Sequence, residues 1–312
     1  MRIVIVGGGG FIGTNLIIYL NQCGYDTVCC DKYECLYKQQ GTVYHTISSD
    51  KQYSDILEPG DLVFYLQWNG TSVTSTDTIT RTINNNIVPL VCFFDICKQK
   101  GVERLIFSSS GGTVYGITGD APIRESQKLN PISSYGIQKV TAELYISLLS
   151  REYDLKSTIL RISNPYGPGQ RPFAGQGVVA TYLACALTNK PFTLRGDGKE
   201  IRDYIYIDDL TQALEKIITY EGDEKIFNIG SGNGCSLAEL IKIMDSVLIS
   251  SGKQTAEKLY IPKAPTDVTS NILDCSLIKK ATGWQASTDL YSGIEKMLKK
   301  WDREKELFNI GE

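Results

Sequence analysis

Short apolar runs alternate with longer segments of helical periodicity through the first half of the chain. The run from Ile3 to Val6 is typical of a buried strand, and a cluster of glycines follows it. Leu16, Ile17 and Leu20 then recur at helical spacing. The same kind of alternation predicts strands near 27–30, 43–47, 61–66 and 104–107, and a helix over 79–94. We therefore expect a doubly wound α/β fold, in which helices cover both faces of a parallel sheet.

The pattern becomes less regular after about residue 165, where turn-forming residues predominate. Residues 164–169 read Asn-Pro-Tyr-Gly-Pro-Gly. Helices are predicted further on, with short strands between them, near 178–189, 208–220, 236–250, 276–282 and 290–306. No repeat, charge block or low-complexity linker separates the two halves. We expect residues 1–165, with returning segments near 203–230, to form the large domain, and 166–312 to form mostly a smaller α/β lobe packed on it.

Composition narrows the class of protein. The 312 residues are 42% hydrophobic and 21% charged, which is ordinary for a globular chain. The net charge is −3, so the chain lacks the excess of basic residues that nucleic-acid binding usually requires. No apolar run approaches the roughly 18 residues that a membrane span needs. The nine cysteines include no Cys-x-x-Cys pair, and His45 is the single histidine. We expect no metal site, and a cytoplasmic protein whose thiols are free.

A glycine-rich turn joins the first strand to the first helix. Gly7, Gly10 and Gly13 have the spacing of loops that let a helix N-terminus approach a pyrophosphate. Asp31 ends the next predicted strand, where its carboxylate would accept hydrogen bonds from ribose hydroxyls and repel a 2′-phosphate. This context predicts NAD as the cofactor, although Lys32 beside the aspartate leaves NADP open.

A tyrosine and a lysine stand four residues apart in the next helical segment, so that Tyr135 and Lys139 share one face. An ammonium group beside a phenol is expected to lower the pKa of the phenol and make it a usable base. The strand at 104–107 runs into three serines, and a hydroxyl there could complete a proton path. That hydroxyl is Ser110 or Ser109, and we prefer Ser110 because it is the last of the strand. Tyr-x-x-x-Lys alone also occurs by chance as an exposed helix pair.

The ordered motifs together resemble the extended short-chain dehydrogenase/reductase superfamily, in its nucleotide-sugar epimerase/dehydratase branch. The resemblance covers nearly the whole chain. Besides the glycine turn, Asp31, Tyr135 and Lys139, it rests on the segments 84–86, 108–116, 131–135, 161–169, 196–198, 202–209 and 274–284. It implies a Rossmann-type fold that binds NAD, a nucleotide-sugar substrate linked through UDP or dTDP, and a homodimer.

The resemblance also implies roles for individual residues. Phe11 and Ile12 would offer backbone amides to the cofactor pyrophosphate, and Leu66 and Asn86 would line the cofactor groove. Tyr135 and Lys139 would contact the cofactor as well as the substrate, with Lys139 on the nicotinamide ribose. The implied substrate-binding residues are Asn164, Arg202, Asp267 and Asn271.

Two of the substrate-binding residues carry a more specific expectation. Arg202 would bind the substrate diphosphate together with Asn164, unless it forms an ordinary salt bridge with Asp203. Asn271 aligns with a position where a bulky tyrosine excludes N-acetyl sugars in some relatives. The smaller side chain suggests that an acetamido group fits.

Several positions depart from the pattern of the resembled family. The serine block has one extra residue before Val114, the strand end that usually contains histidine reads Phe-Tyr-Leu-Gln-Trp over 64–68, and the segment from Asp50 to Asp61 is short. Ala264 stands where an arginine is expected, although the neighbouring Lys263 could supply a charge.

Two further differences from the resembled family concern residues that determine which reaction is catalysed. Gly112-Thr113 replaces the Asp-Glu pair of sugar dehydratases, and the Ser-Glu of the decarboxylases is missing. This favours 4-epimerisation of a UDP-hexose or UDP-N-acetylhexosamine through a 4-keto intermediate. The alternative is an NAD(P)H-dependent reductase of nucleotide 4-keto-6-deoxysugars, and a more distant one is a non-catalytic NAD-binding regulator. The dimer would form through helices at 76–100 and 130–150; apolar residues such as Val91 and Phe94 suit either that contact or, equally, the core.

Overall fold

The computed structural model describes residues 1–35, 37–70, 79–119, 122–175, 177–262 and 270–303. In this part of the chain the strands are β1 Arg2–Val6, β2 Asp26–Asp31, β3 Thr42–Thr46, β4 Leu62–Tyr65, β5 Arg104–Ser110, β6 Lys156–Ile162, β7 Asn164–Tyr166, β8 Phe192–Arg195, β9 Ile201–Tyr206, β10 Ile226–Ile229, β11 Gly234–Ser236, β12 Lys258–Ile261 and β13 Ser270–Asn271. The helices are α1 Phe11–Gln22, α2 Tyr53–Ile56 after a 3₁₀ turn at Asp50–Gln52, α3 Ile79–Lys100, α4 Ser134–Tyr153, α5 Val178–Leu187, α6 Ile207–Ile218, α7 Leu237–Ser250, α8 Ser276–Thr282 and α9 Leu290–Arg303.

Seven strands form one parallel sheet in the order β10-β6-β5-β4-β1-β2-β3. The chain order reverses between β1 and β4, which is the switch point where such sheets bind ligands at the carboxyl ends of their strands. The last strand to join, β10, returns from the second half of the chain and pairs with β6. The doubly wound Rossmann-type fold predicted from the sequence is confirmed.

Both faces of the large sheet are buried, because alternate residues of each strand point to opposite sides. Ile3 and Ile5 pack in the same apolar cluster as Leu16 of α1, whereas Val4 and Val6 belong to a second cluster that includes Phe94 of α3. The large sheet is therefore covered by helices on both sides.

Phe94 is fully buried, so it does not belong to an exposed contact surface, and Val91 is half-buried. The large apolar side chains exposed on α3 and α4 are instead Ile79, Ile83, Val88, Ile137, Leu144, Tyr145 and Leu148. The spacing along α3 did not distinguish the face packed on the sheet from the outer face, since both carry apolar residues.

A smaller sheet lies in the second half of the chain. Its central strand β9 pairs with β11 on one side and β13 on the other, and it also pairs with β7. A separate two-stranded parallel pair joins β8 to β12. No helix in the described residues is long and apolar enough to cross a membrane.

Candidate active site

The turn between β1 and α1 requires glycine at both ends. Gly7 has a φ of +83°, and a Cβ there would lie 2.6 Å from the backbone nitrogen of Gln67. A Cβ on Gly13 would lie 2.5 Å from the Gly7 carbonyl oxygen. Gly10 occupies the N-cap position of α1 and offers no side chain to the first amides of the helix.

The amides of Phe11 and Ile12 lie at the N-terminus of α1, ahead of the helical hydrogen-bond ladder. Thr14 is the residue whose N–H donates to the Gly10 carbonyl, at 2.9 Å. The helix therefore presents N–H groups and the positive end of its dipole toward the glycine turn, as a pyrophosphate site needs.

Asp31, at the end of β2, lies against the same turn. Its Oδ2 atom accepts a hydrogen bond of 2.9 Å from the Gly9 N–H, and its Oδ1 accepts one of 3.1 Å from the Tyr33 N–H. These bonds hold the carboxylate at the carboxyl end of the sheet, beside the glycine turn.

The other predicted cofactor contacts, Leu66 and Asn86, differ in exposure. Leu66 follows β4, is half-buried, and donates its N–H to the Val6 carbonyl at 2.8 Å. Asn86 is buried on α3, where its amide donates to the Asn69 carbonyl at 2.9 Å and to Gln138 Oε1 at 3.0 Å. Its Oδ1 accepts from the Asn69 N–H at 2.7 Å. The Asn86 side chain therefore fixes the segment after β4 and has no further donor to offer a cofactor.

Lys139 lies on the buried face of α4 and is 2% exposed. Its Nζ donates to the Ser108 carbonyl at 2.7 Å and lies 3.9 Å from the centre of the Trp68 ring and 4.7 Å from that of Phe107. Burial lowers the pKa of Lys139 to about 7, and the nearby Glu143 carboxylate opposes this shift. The amine can therefore gain or lose a proton near neutral pH.

Tyr135 is half-buried one helical turn before Lys139, with its ring centre 5.7 Å from Lys139 Nζ. Burial raises the pKa of the Tyr135 phenol to about 12. We expected Lys139 to lower the pKa of Tyr135. In the protein without bound ligands this expectation is wrong. The amine is directed at the Ser108 carbonyl and the Trp68 ring, so it stabilises the phenolate too weakly to offset desolvation.

The three serines at the end of β5 have different surroundings. The Ser108 hydroxyl donates to the Tyr65 carbonyl at 3.4 Å, and the Ser109 hydroxyl is buried and donates to the Glu143 carboxylate. Ser110 is half-buried, and its hydroxyl makes no hydrogen bond to any residue in the described ranges. Of the two alternatives, this geometry favours Ser110 as the hydroxyl that faces a substrate.

A buried ion pair that no sequence motif indicated lies next to Ser109 and Lys139. Arg161 on β6 donates to Glu143 with a shortest distance of 2.7 Å, and both side chains are 4% exposed. Arg161 also donates to the Tyr115 hydroxyl at 3.0 Å, which in turn donates to Asn228 at 2.7 Å. Glu143 stands four residues after Lys139, so helical spacing alone could have placed it on the same face.

On the side of the smaller sheet, Asn164 and Arg202 occupy neighbouring strands. The Asn164 amide donates to the Asp203 carbonyl at 2.9 Å, and Arg202 Nη1 donates to the Ile201 carbonyl at 2.9 Å. Arg202 pairs with no carboxylate among the described residues, so the alternative of a salt bridge with Asp203 is wrong. The guanidinium charge remains available for an anionic ligand.

Asp203 is instead a buried carboxylate held by backbone donors. It accepts hydrogen bonds from the N–H groups of Ser231, Gly232 and Leu273 at 2.8, 3.2 and 3.3 Å, and one from the Ser231 hydroxyl. Burial raises the pKa of Asp203, and these hydrogen bonds oppose the shift. No sequence signal pointed to this role, because its partners come from distant segments of the chain.

Asn271 on β13 is paired with Arg202 in register and is only 1% exposed. Its amide donates to the Gly111 carbonyl at 3.0 Å, directly after Ser110. The side chain therefore joins the two sheets beside the serine and does not form an exposed wall for an acetamido group. The predicted contact Asp267 lies outside the described residues, as do Lys263 and Ala264.

The glycine turn, the acidic strand end and the Ser-Tyr-Lys group together define a dinucleotide-dependent enzyme of the short-chain dehydrogenase/reductase class. The chain belongs to the NAD dependent epimerase/dehydratase family, whose model matches residues 3–230. NAD is thus its cofactor, as predicted, and the residues at the turn fit that cofactor.

Similar proteins cover nearly the whole chain. The dTDP-4-dehydro-6-deoxyglucose reductase of Escherichia coli is 34% identical, over 95% of this chain and 96% of its own. The structure of UDP-glucose 4-epimerase from Thermotoga maritima with UDP-glucose has a TM-score of 0.89 at 30% identity, over 97% of this chain and 99% of its own. That of the Thermus thermophilus UDP-glucose 4-epimerase complex with NAD has a TM-score of 0.89 at 25% identity, over 97% and 100%.

Proposed function

We propose that the protein is an NAD-dependent 4-epimerase of a UDP-hexose or UDP-N-acetylhexosamine. The observation that carries the proposal is that Lys139, whose Nζ lies 5.7 Å from the Tyr135 ring centre, donates to the Ser108 carbonyl on β5, two residues before the hydroxyl of Ser110. The family match and the two 4-epimerase structures support it.

In this proposal Tyr135 removes the proton of the C4 hydroxyl while the Ser110 hydroxyl hydrogen-bonds the C4 oxygen. NAD, when bound, would supply a reversible hydride acceptor for C4. The 4-keto sugar would then turn in the site, so that hydride would return to its other face while Tyr135 gives the proton back to the C4 oxygen. Lys139, whose pKa lies at about 7, stands one helical turn after Tyr135 and can gain or lose a proton near neutral pH during the transfer.

We assign the substrate diphosphate to Arg202 and Asn164. Arg202 offers a guanidinium fork that no carboxylate of the described residues pairs, which suits bidentate binding to phosphate oxygens. Asn271 acts in this proposal by holding the Gly111 carbonyl, which fixes the backbone beside Ser110.

The 34% identity to the Escherichia coli dTDP-4-dehydro-6-deoxyglucose reductase favours a second candidate function. A reductase of a dTDP-linked 4-keto-6-deoxysugar would use the same three residues once, with the reduced cofactor arriving and leaving in each turnover. The two functions differ in whether NAD stays bound and whether the sugar turns.

We also propose a homodimer and a cytoplasmic location. Ile83 and Val88 on α3 and Leu144 and Leu148 on α4 are each at least 40% exposed and apolar, which suits burial against a second copy. The nine cysteines are suited to a reducing compartment. Light scattering tests the dimer, and a monomer at assay concentration would contradict it.

The experiment that tests the function begins with acid release of nucleotide from freshly purified protein, identified by absorbance and mass. The protein is then incubated with UDP-glucose and with UDP-N-acetylglucosamine, and the products are analysed. Bound NAD and C4 inversion without added cofactor support the epimerase. Protein without nucleotide that is inert to both sugars supports the reductase, which is then assayed with dTDP-4-keto-6-deoxyglucose and NADH or NADPH.

A further inference from the structure

Two cysteine sulfurs lie in contact beneath the cofactor turn. Cys29 is in β2, and Cys35 follows Asp31 in the connection to β3; both side chains are buried. Their Sγ atoms are 3.2 Å apart. No other two of the nine cysteines have sulfurs within hydrogen-bonding distance in the described residues. A disulfide bond has a length of about 2.05 Å, so the sulfurs need to approach by little more than one ångström.

Both sulfurs also pack against the glycine turn itself. A Cβ on Gly8 would lie 2.5 Å from Cys29 Sγ, and one on Gly9 would lie 3.0 Å from Cys35 Sγ. Gly9 is the residue whose N–H donates to Asp31. A shift of either sulfur therefore moves the backbone that is assigned to the pyrophosphate, together with the carboxylate assigned to the adenosine ribose.

The two thiols are chemically unequal. When the Cys29 thiol donates its proton to Cys35, this hydrogen bond lowers the pKa of Cys35 and raises that of Cys29. Burial and the Asp31 carboxylate oppose the lowering of the Cys35 pKa, and the Lys38 ammonium favours it. Cys35 is also the more exposed of the two, at 9% against 0% for Cys29, so it is the thiol that an oxidant reaches and that attacks it.

We propose that Cys29 and Cys35 are an oxidative modification site, at which a peroxide forms a disulfide that weakens NAD binding. The Cys35 thiolate attacks the peroxide oxygen and becomes a sulfenic acid, and the O–O bond breaks to release an alcohol or water after protonation. The Cys29 thiol then attacks the sulfenic sulfur, the S–S bond forms, and water leaves. In sum, two thiols and one peroxide give one disulfide and either one alcohol and one water or two waters.

The test uses the full chain, freed of bound nucleotide, reduced, and exposed to hydrogen peroxide that is afterwards removed. Peptide mapping without reductant should find the Cys29–Cys35 cross-link. Calorimetry should show the NAD dissociation constant raised by about tenfold or more, with recovery after dithiothreitol. The readout is NAD binding rather than sugar turnover, so its outcome is independent of the proposed epimerase activity.

Cys35→Ser is the decisive variant, because it removes the attacking thiol while keeping its size. It should bind NAD as the reduced wild type does and be unaffected by peroxide. A variant with Cys23→Ser and Cys92→Ser loses two exposed thiols and should remain sensitive. The proposal is overturned by the absence of the cross-link, by unchanged NAD affinity when the cross-link forms, or by equal sensitivity of Cys35→Ser.

Discussion

The large and the small sheet hold their site residues in different ways. Behind Lys139, the large sheet has a buried ion pair in which Glu143 and Arg161 satisfy each other. The small sheet has no such pair beside Arg202 in the described residues. Its buried carboxylate, Asp203, is satisfied by backbone N–H groups and one hydroxyl, and these tie its loops and strands together.

Because of this difference, substitutions in the two sheets should have different effects. A buried ion pair is strongly destabilised when one partner is removed, because the other charge remains desolvated. Arg202, by contrast, is half-buried on the paired strand β9, so it can be substituted without disturbing the backbone of that strand. We therefore expect substitutions in the large sheet to alter turnover and stability, and substitutions of Arg202 to alter substrate affinity alone.

The largest expected effect is on turnover and comes from Tyr135→Phe. This change removes the hydroxyl that exchanges a proton with the C4 oxygen, and we expect kcat to fall about 10³-fold. The amount of NAD released by acid should stay the same, since the glycine turn is untouched. Tyr145→Phe, an exposed tyrosine of the same helix, is the matched control. Turnover above about a tenth of the wild-type value would rule out the phenol as the proton-transfer group.

The ion pair should dominate the stability of the large sheet. Glu143→Gln keeps the size of the side chain but leaves Arg161 without a counter-charge, and we expect a loss of about 3 kcal/mol in the free energy of unfolding. Urea denaturation measures the change. Glu103→Gln removes an exposed carboxylate 4.0 Å from Lys156 and should cost less than about 1 kcal/mol. Equal losses in the two variants would contradict the importance of the buried pair.

The next effect is a pH dependence of stability that originates at Lys139. Its pKa is lowered to about 7 in the folded protein, whereas an unfolded lysine has a pKa of about 10.4. Between these values the unfolded chain binds more protons than the folded one, so stability rises with pH in this window. The penalty for burying the amine is complete below the lower pKa and disappears above the higher one.

Lys139→Met isolates this contribution, because it removes the titrating group and keeps an apolar chain of similar length. Between pH values of about 7 and 9 the wild type should gain about 2 kcal/mol of stability relative to the variant. Denaturant titrations at several pH values measure the difference. Parallel curves for the two proteins would mean that the amine stays charged in the folded state.

The large sheet was predictable because its signals are local. The glycine turn and Asp31 lie in consecutive strand-turn units and are joined by the Gly9–Asp31 hydrogen bond, and Tyr135 and Lys139 lie one turn apart on α4. Whether Phe94 belongs to the core or to an outer contact stayed open from the sequence, because α3 carries apolar residues on both its inner and its outer face; the structure places it in the core.

The small sheet was less predictable because its contacts are distant in sequence. The strand β13 is two residues long, and it is held in place by pairing with β9. Nothing near Asn271 indicates that its amide reaches the Gly111 carbonyl, and nothing near Asp203 indicates which loops would supply its donors. The direction of the Tyr135 pKa shift depends on burial, which motif spacing does not report.

The smallest effect expected here tests the small sheet directly. Arg202→Lys keeps the positive charge but loses the fork that can bind two phosphate oxygens at once, and we expect KM for the nucleotide sugar to rise about fivefold to tenfold. Because Arg202 does not contact the ion pair or the glycine turn, kcat and NAD content should stay unchanged. Steady-state kinetics with the identified substrate measure the split. A fall in kcat without a rise in KM would show that this residue acts on the reacting sugar, and the assignment of affinity to the small sheet would then be wrong.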